Sequence, residues 1–168
     1  MGGSTSPAAS ISARRSESPA RVPAARAAFP GGNGAIAFTV AAGGVDRIAI
    51  AGSPADAPAL LTVGSDPAWS ADGTRLAYGR RGIVVAQANG SGAVRLTSGP
   101  SDGDPSWSPD GLQIAFTRTT GSNQDVYAIR ADGSGLRRLT RAPVPDQEPA
   151  WSPDGLRTAF ASQRHGNW

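Results

Sequence analysis

Gly99-Pro100-Ser101-Asp102-Gly103 matches G-x-S-x-G, the pattern that holds a nucleophilic serine in many hydrolases. That chemistry needs a strand-to-helix turn, backbone donors for an oxyanion and a histidine base. No helical pattern follows Ser101, and His165 is the only histidine of the chain. The segment therefore reads as an ordinary turn, and His165 as an exposed residue of a terminal loop rather than a general base or metal ligand. Asp102 with Asp104, and Asp146 with Glu148, are acidic pairs at matching places. Their oxygens suit calcium, but their spacing is not that of a twelve-residue EF-hand loop, so solvated loop charges or strand-start capping is the expectation. Asp72, Asp110 and Asp154 sit in SADG or SPDG segments, where a turn accounts for them. Asn89-Gly90-Ser91 is formally a glycosylation sequon and coincides with a turn, since Asp132-Gly133-Ser134 occupies the same place further on. Cysteine is absent, which removes disulfides, thiolate metal sites and a cysteine nucleophile. There is no phosphate-cradling glycine loop opening a helix. No catalytic residue, cofactor or metal is assigned.

The elements that carry these residues come from a repeat. DPSWSPDGLQIAF, from Asp104 to Phe116, returns as DPAWSADGTRLAY from Asp66 and as EPAWSPDGLRTAF from Glu148. A period of about forty residues is a mark of repeat architectures. In the middle copy, Ser106 to Ser108 is expected as a short first strand, and Ser108-Pro109-Asp110-Gly111 as a type I turn. Leu112 to Thr117 follows as a second strand, with Leu112, Ile114 and Phe116 on one face and Gln113, Ala115 and Thr117 on the other. After a polar loop, Val126 to Arg130 is the third strand. Asp132-Gly133-Ser134-Gly135 turns the chain, and Arg137 to Thr140 is the fourth. The copies differ in length mainly between the second and third strands, where loops tolerate it. A degenerate copy from Asn33 to Thr62 supplies second, third and fourth strands, with Pro54-Ala55 in place of the usual turn.

Four strands joined by tight turns, with both faces apolar or small, describe a blade of a β-propeller; a flat solenoid of sheets is the alternative. The fold class is all-β, a partial β-propeller of four-stranded antiparallel blades. The expected divisions are a degenerate blade over 31–65, blades over 66–103 and 104–147, and a truncated blade over 148–168. The Trp of each first strand and the Phe or Tyr of each second would fill the gaps between blades, with alanines allowing close approach.

The unit P-x-W-S-x-D-G, followed by I-A-F, V-Y-A-I, D-G and R-L-T, resembles the WD-like repeats of the TolB family. Similar propeller repeats occur in dipeptidyl-peptidase and tricorn-type accessory domains. The resemblance covers roughly residues 32 to 168. It implies a six-bladed ring, a non-catalytic scaffold that binds a protein partner, and a periplasmic or secreted location. The accessory propeller of a serine peptidase, its catalytic domain elsewhere, is the alternative it leaves.

Residues 1–30 are mostly Ala, Ser, Pro and Arg, a composition that cannot bury enough surface to order itself, so a disordered tail is expected. Arg14, Arg15, Arg21 and Arg26 against Glu17 give that tail the whole net charge of +3. The rest of the chain has balanced charge and no basic field of the kind nucleic acids require. No apolar run approaches the roughly 18 residues of a membrane helix, so neither membrane insertion nor an export signal is expected. With about three blades, unpaired blade edges would favour self-association or marginal stability of the 168-residue chain.

Overall fold

The computed structural model describes residues 34–52 and 57–164. The tail, the Pro54-Ala55 turn and His165 lie outside the described residues. Thirteen strands and no helix make up the described chain: β1 (Ile36–Ala42), β2 (Val45–Ala51), β3 (Ala59–Val63), β4 (Ser65–Trp69), β5 (Arg75–Gly79), β6 (Ile83–Gln87), β7 (Val94–Arg95), β8 (Asp102–Trp107), β9 (Gln113–Thr120), β10 (Asn123–Arg130), β11 (Arg137–Arg138), β12 (Asp146–Trp151) and β13 (Thr158–Ser162). They form antiparallel sheets in sequential order, β1-β2-β3, β4-β5-β6-β7, β8-β9-β10-β11 and β12-β13. The all-β meander read from the repeat is the observed fold.

The turns form as their chemistry dictates. In the second full blade the Gly111 amide donates to the Ser108 carbonyl at 2.9 Å, closing the turn, and Gly111 takes a φ of 68°, where a side chain would be strained. The same bond recurs at Gly73 to Ser70 and at Gly155 to Ser152. Leu112 departs from expectation. It lies before β9, its amide donates to Asp110 Oδ1 at 3.0 Å, and its side chain is 65% exposed. The turn holds its backbone, so it faces the rim rather than sharing a face with Ile114 and Phe116.

Strand lengths differ from the sequence reading for three reasons. First strands begin earlier because the ladder with the second strand resumes across a bulge. Gly103 pairs with Thr117 and Ser106 with Ala115, so Asp104-Pro105 contains one extra residue. Asp66-Pro67 and Glu148-Pro149 make the same bulge. Asp66, Asp104 and Glu148 all have φ near +50°, at 53°, 48° and 57°. The region expected as a polar loop is instead a hairpin, in which β9 and β10 extend as far as the Thr120–Asn123 pair and turn through Gly121 and Ser122. Polar residues are compatible with strands once cross-strand pairing satisfies the backbone. In the two full blades the fourth strands, β7 and β11, are only two residues long, since a threonine side chain takes over the ladder, whereas β3 of the degenerate copy runs for five. The Thr140 hydroxyl accepts from the Val126 amide at 3.0 Å, while the Leu139 amide donates to the Val126 carbonyl at 2.8 Å.

The core lies between blades. Tyr78, Leu76, Val84 and Ala86 of the first full blade cluster with Ala37 and Ile48 of the preceding sheet. The opposite face, through Ala77, Ile83 and Val85, packs on Trp107, Ile114, Phe116 and Ile129 of the next. Alternation along β5 and β6 thus feeds two separate clusters, as a strand buried on both faces must. Trp107 is buried and donates its indole N–H to the Ala68 carbonyl at 3.1 Å, satisfying the one polar atom it brings into the interface. Burial of each such large side chain contributes about 2 kcal/mol.

Candidate functional site

Antiparallel order puts the first-to-second and third-to-fourth strand turns on one rim. The second-to-third hairpins and the links between blades lie on the opposite rim. The polar residues singled out by sequence are divided between these two ends.

On the tight-turn rim, Ser70, Ser108 and Ser152 each serve their own turn. The Ser108 hydroxyl donates to Asp110 Oδ1 at 2.5 Å and accepts the Gln113 amide at 2.9 Å. The hydroxyl of Ser70 and the Thr74 amide hold the Asp72 carboxyl at a pKa of about 2. Asp110 and Asp154 are lowered likewise, by the hydroxyls of Ser108 and Ser152 and by the amides of Leu112 and Leu156. Asn89 Oδ1 accepts from the Ser91 amide and hydroxyl, matching Asp132 with Ser134 in the next blade. Each of these carboxylates and amides turns back on its own loop.

At the opposite rim Asp102 and Asp146 are buried at the first positions of β8 and β12, so of the two expectations, solvated loop charges or strand-start capping, the first does not hold for them. The longer first strands draw both into the ladder. Asp102 takes a two-pronged ion pair from Arg118, with Nε and Nη2 each at 2.7 Å, and a hydrogen bond from the Thr97 hydroxyl, which itself accepts the Ile83 amide at 2.8 Å. One carboxylate therefore ties the fourth strand of one blade to the first and second strands of the next. The hydrogen bonds to Asp102 raise Arg118 above the ordinary guanidinium range. Asp146 repeats the motif with Arg164 Nη2 at 2.7 Å. Burial pushes its carboxyl up, but Ser162, Arg164 and Thr140 gathered around it leave it below the usual range. Gly99 makes room for the first of these junctions: a Cβ there would stand 2.2 Å from Asp102 Oδ1. Asp104 and Glu148 lie in the bulges, and no cluster of three metal-ligating side chains occurs among the described residues.

Ser101 of the G-x-S-x-G segment sits in a turn that runs directly into strand β8, and its neighbour Asp102 is held by Arg118 and Thr97. Thr97, Arg118, Thr140 and Arg164 were not singled out in the sequence. The signal was present, because a threonine ending R-L-T precedes D-x-D-P or D-x-E-P in two successive copies.

A concave region lies on the tight-turn rim. A groove of about 660 Å³ opens beside the Ser108–Gly111 turn, lined by Arg75 and by Gln113, Arg130, Asp132 and Arg137 of the following blade. Arg75 crosses between blades: its guanidinium carbon stands 4.5 Å from the centre of the Trp107 ring and Nη2 donates to the Gly111 carbonyl at 2.9 Å.

The family described as TolB beta propeller domain matches residues 61–168. The chain belongs to the TolB β-propeller family. Among solved structures, TolB from Acinetobacter baumannii is 27% identical with a TM-score of 0.70, over 82% of this chain and 38% of that one. A TolB structure from Agrobacterium tumefaciens is 29% identical with a TM-score of 0.65, over 76% of this chain and 49% of that one. The chain thus spans less than half the length of either TolB structure. The tricorn protease, at 17% identity and a TM-score of 0.59 over 80% of this chain and 15% of that one, shares the propeller fold alone. No curated protein matches the chain.

Proposed function

We propose that this TolB-family chain is a non-catalytic propeller scaffold that binds a protein partner at the cell envelope. The observation that carries the reading is how the repeated polar side chains are used. Ser70, Ser108 and Ser152 close turns, Asp102 and Asp146 pin blades, and neither set leaves a nucleophile beside a base. Identity of 27 to 29% to two TolB structures supports the same direction. A propeller built this way presents fixed turns to a partner with little ordering cost.

The test is cell fractionation joined to in-cell photo-crosslinking, with the crosslinker at Asp72, Asp110 or Asp132 on the tight-turn rim. The expected result is recovery in the envelope fraction and a crosslink to one protein species. Recovery in the cytosol, or hydrolysis of peptide esters by the purified chain at a rate lost with Ser101→Ala, would overturn the reading.

A further inference from the structure

We propose that the groove beside the Ser108–Gly111 turn takes an acidic peptide segment of the partner protein; this rests on the scaffold reading above. Arg75, Arg130 and Arg137 line it, and Asp132 is the acidic side chain they share it with. Asp132 is already engaged, with Oδ1 accepting the amide and hydroxyl of Ser134 at 2.8 and 2.7 Å, which holds its carboxyl below the ordinary range. Among the described residues none of the three arginines has a carboxylate ion pair, whereas Arg118, Arg138 and Arg164 on the opposite rim each have one. Arg75 and Arg130 feel the charge of Asp72 and Asp132 without pairing with them, so the concavity keeps an excess of positive charge that an anion would offset.

Two of the arginines are held in place by neutral partners. Arg75 is fixed by Trp107 and the Gly111 carbonyl, and Arg137 Nη2 donates to Gln113 Oε1 at 2.8 Å. Each uses one N–H in doing so and keeps others for a ligand, and a planar guanidinium suits two-pronged contact with a carboxylate. The preceding repeat does not reproduce the site. In the preceding repeat, Gln87 and Val94 replace Arg130 and Arg137. The size of the groove and the exposed Leu112 on its wall fit several residues of extended peptide better than a single small anion. An acidic partner also accords with the charge of the groove lining itself, in which three arginines stand against one aspartate.

The experiment uses the full chain and a fluorescein-labelled hexaglutamate peptide, followed by anisotropy at low salt. Saturable binding is expected, weakened about tenfold or more by Arg130→Gln with Arg137→Gln and weakened further by rising salt. Arg75 is left intact because it staples two blades. Arg141→Gln with Arg157→Gln, which removes the same charge elsewhere, should leave binding unchanged. Equal weakening by both double variants, or no saturable binding, overturns the proposal. So does competition by inorganic phosphate or by a single-stranded oligonucleotide as effective as that by unlabelled peptide. Self-association of the chain that the groove variants abolish would place a second copy there instead. If in-cell crosslinking to a partner survives the groove variants, the scaffold reading stands and the groove assignment falls.

Discussion

At the scale of single residues, the Asp of the SADG and SPDG turns has the most directly testable energetics. Asp72 lies near pKa 2 in the folded chain, held by the hydroxyl of Ser70 and the amide of Thr74, and Asp110 and Asp154 are shifted the same way. A carboxyl with a depressed folded pKa contributes stability that is present above its unfolded value, about 3.9, and lost as pH falls through the folded one. The folded state should therefore lose stability steadily between about pH 4 and pH 2. The variant carrying Asp72→Asn, Asp110→Asn and Asp154→Asn should melt lower at pH 7 and show a flatter slope of melting temperature in that window. A slope equal to the parent's would assign acid sensitivity to other carboxylates. These turns were legible in the sequence because their chemistry is local: serine, aspartate and glycine at fixed offsets decide the backbone by themselves. The Asp102–Arg118 pair was not, since its partners meet only after the ladder is in register. Reading β8 as starting at Ser106 left Asp102 in a loop, on the wrong side of a bulge.

At the scale of the strand and hairpin, the alternation of large and small side chains over Ile114 to Thr117 made the start of β9 readable, because the strand is buried there on both faces. The polar end of the β9–β10 hairpin gave no apolar signal, and its pairing is fixed instead by the two-residue turn at Gly121 and Ser122. Glycines separate two further kinds of constraint. Gly73 has a φ of 69° with open space where a Cβ would stand, whereas Gly82 has a φ of 125° and a Cβ there would lie 2.1 Å from the Thr97 carbonyl oxygen. Gly73→Ala should cost about 1 kcal/mol, the conformational term alone. Gly82→Ala has to move the chain that carries Thr97 and should cost about 3 kcal/mol or more. Chemical denaturation of the two variants checks the ranking. Equal losses would mean that the β5–β6 turn shifts freely against the fourth strand.

At the scale of the whole molecule, blades are coupled through a few shared groups, as in repeat proteins where stability sums intrinsic and nearest-neighbour terms. The clusters around Tyr78 and Phe116 supply apolar contact between neighbouring sheets. Thr97 supplies a polar link that crosses the same boundary, joining the Ile83 amide in one blade to Asp102 in the next. Thr97→Val keeps the volume but strips the hydroxyl, leaving a buried amide without its acceptor and a buried carboxylate short of one donor. The cost should be about 2 kcal/mol. Hydrogen exchange locates where it is felt. Faster exchange is expected for amides of β6 and of β8 together, since the lost hydroxyl served both, while β1 and β2 keep the parent's protection because only the neighbouring junction is touched. A uniform loss over all sheets would show that the blades open as one cooperative unit. A loss confined to β6 would show that the Arg118 pair alone holds Asp102, and that the threonine serves only its own blade.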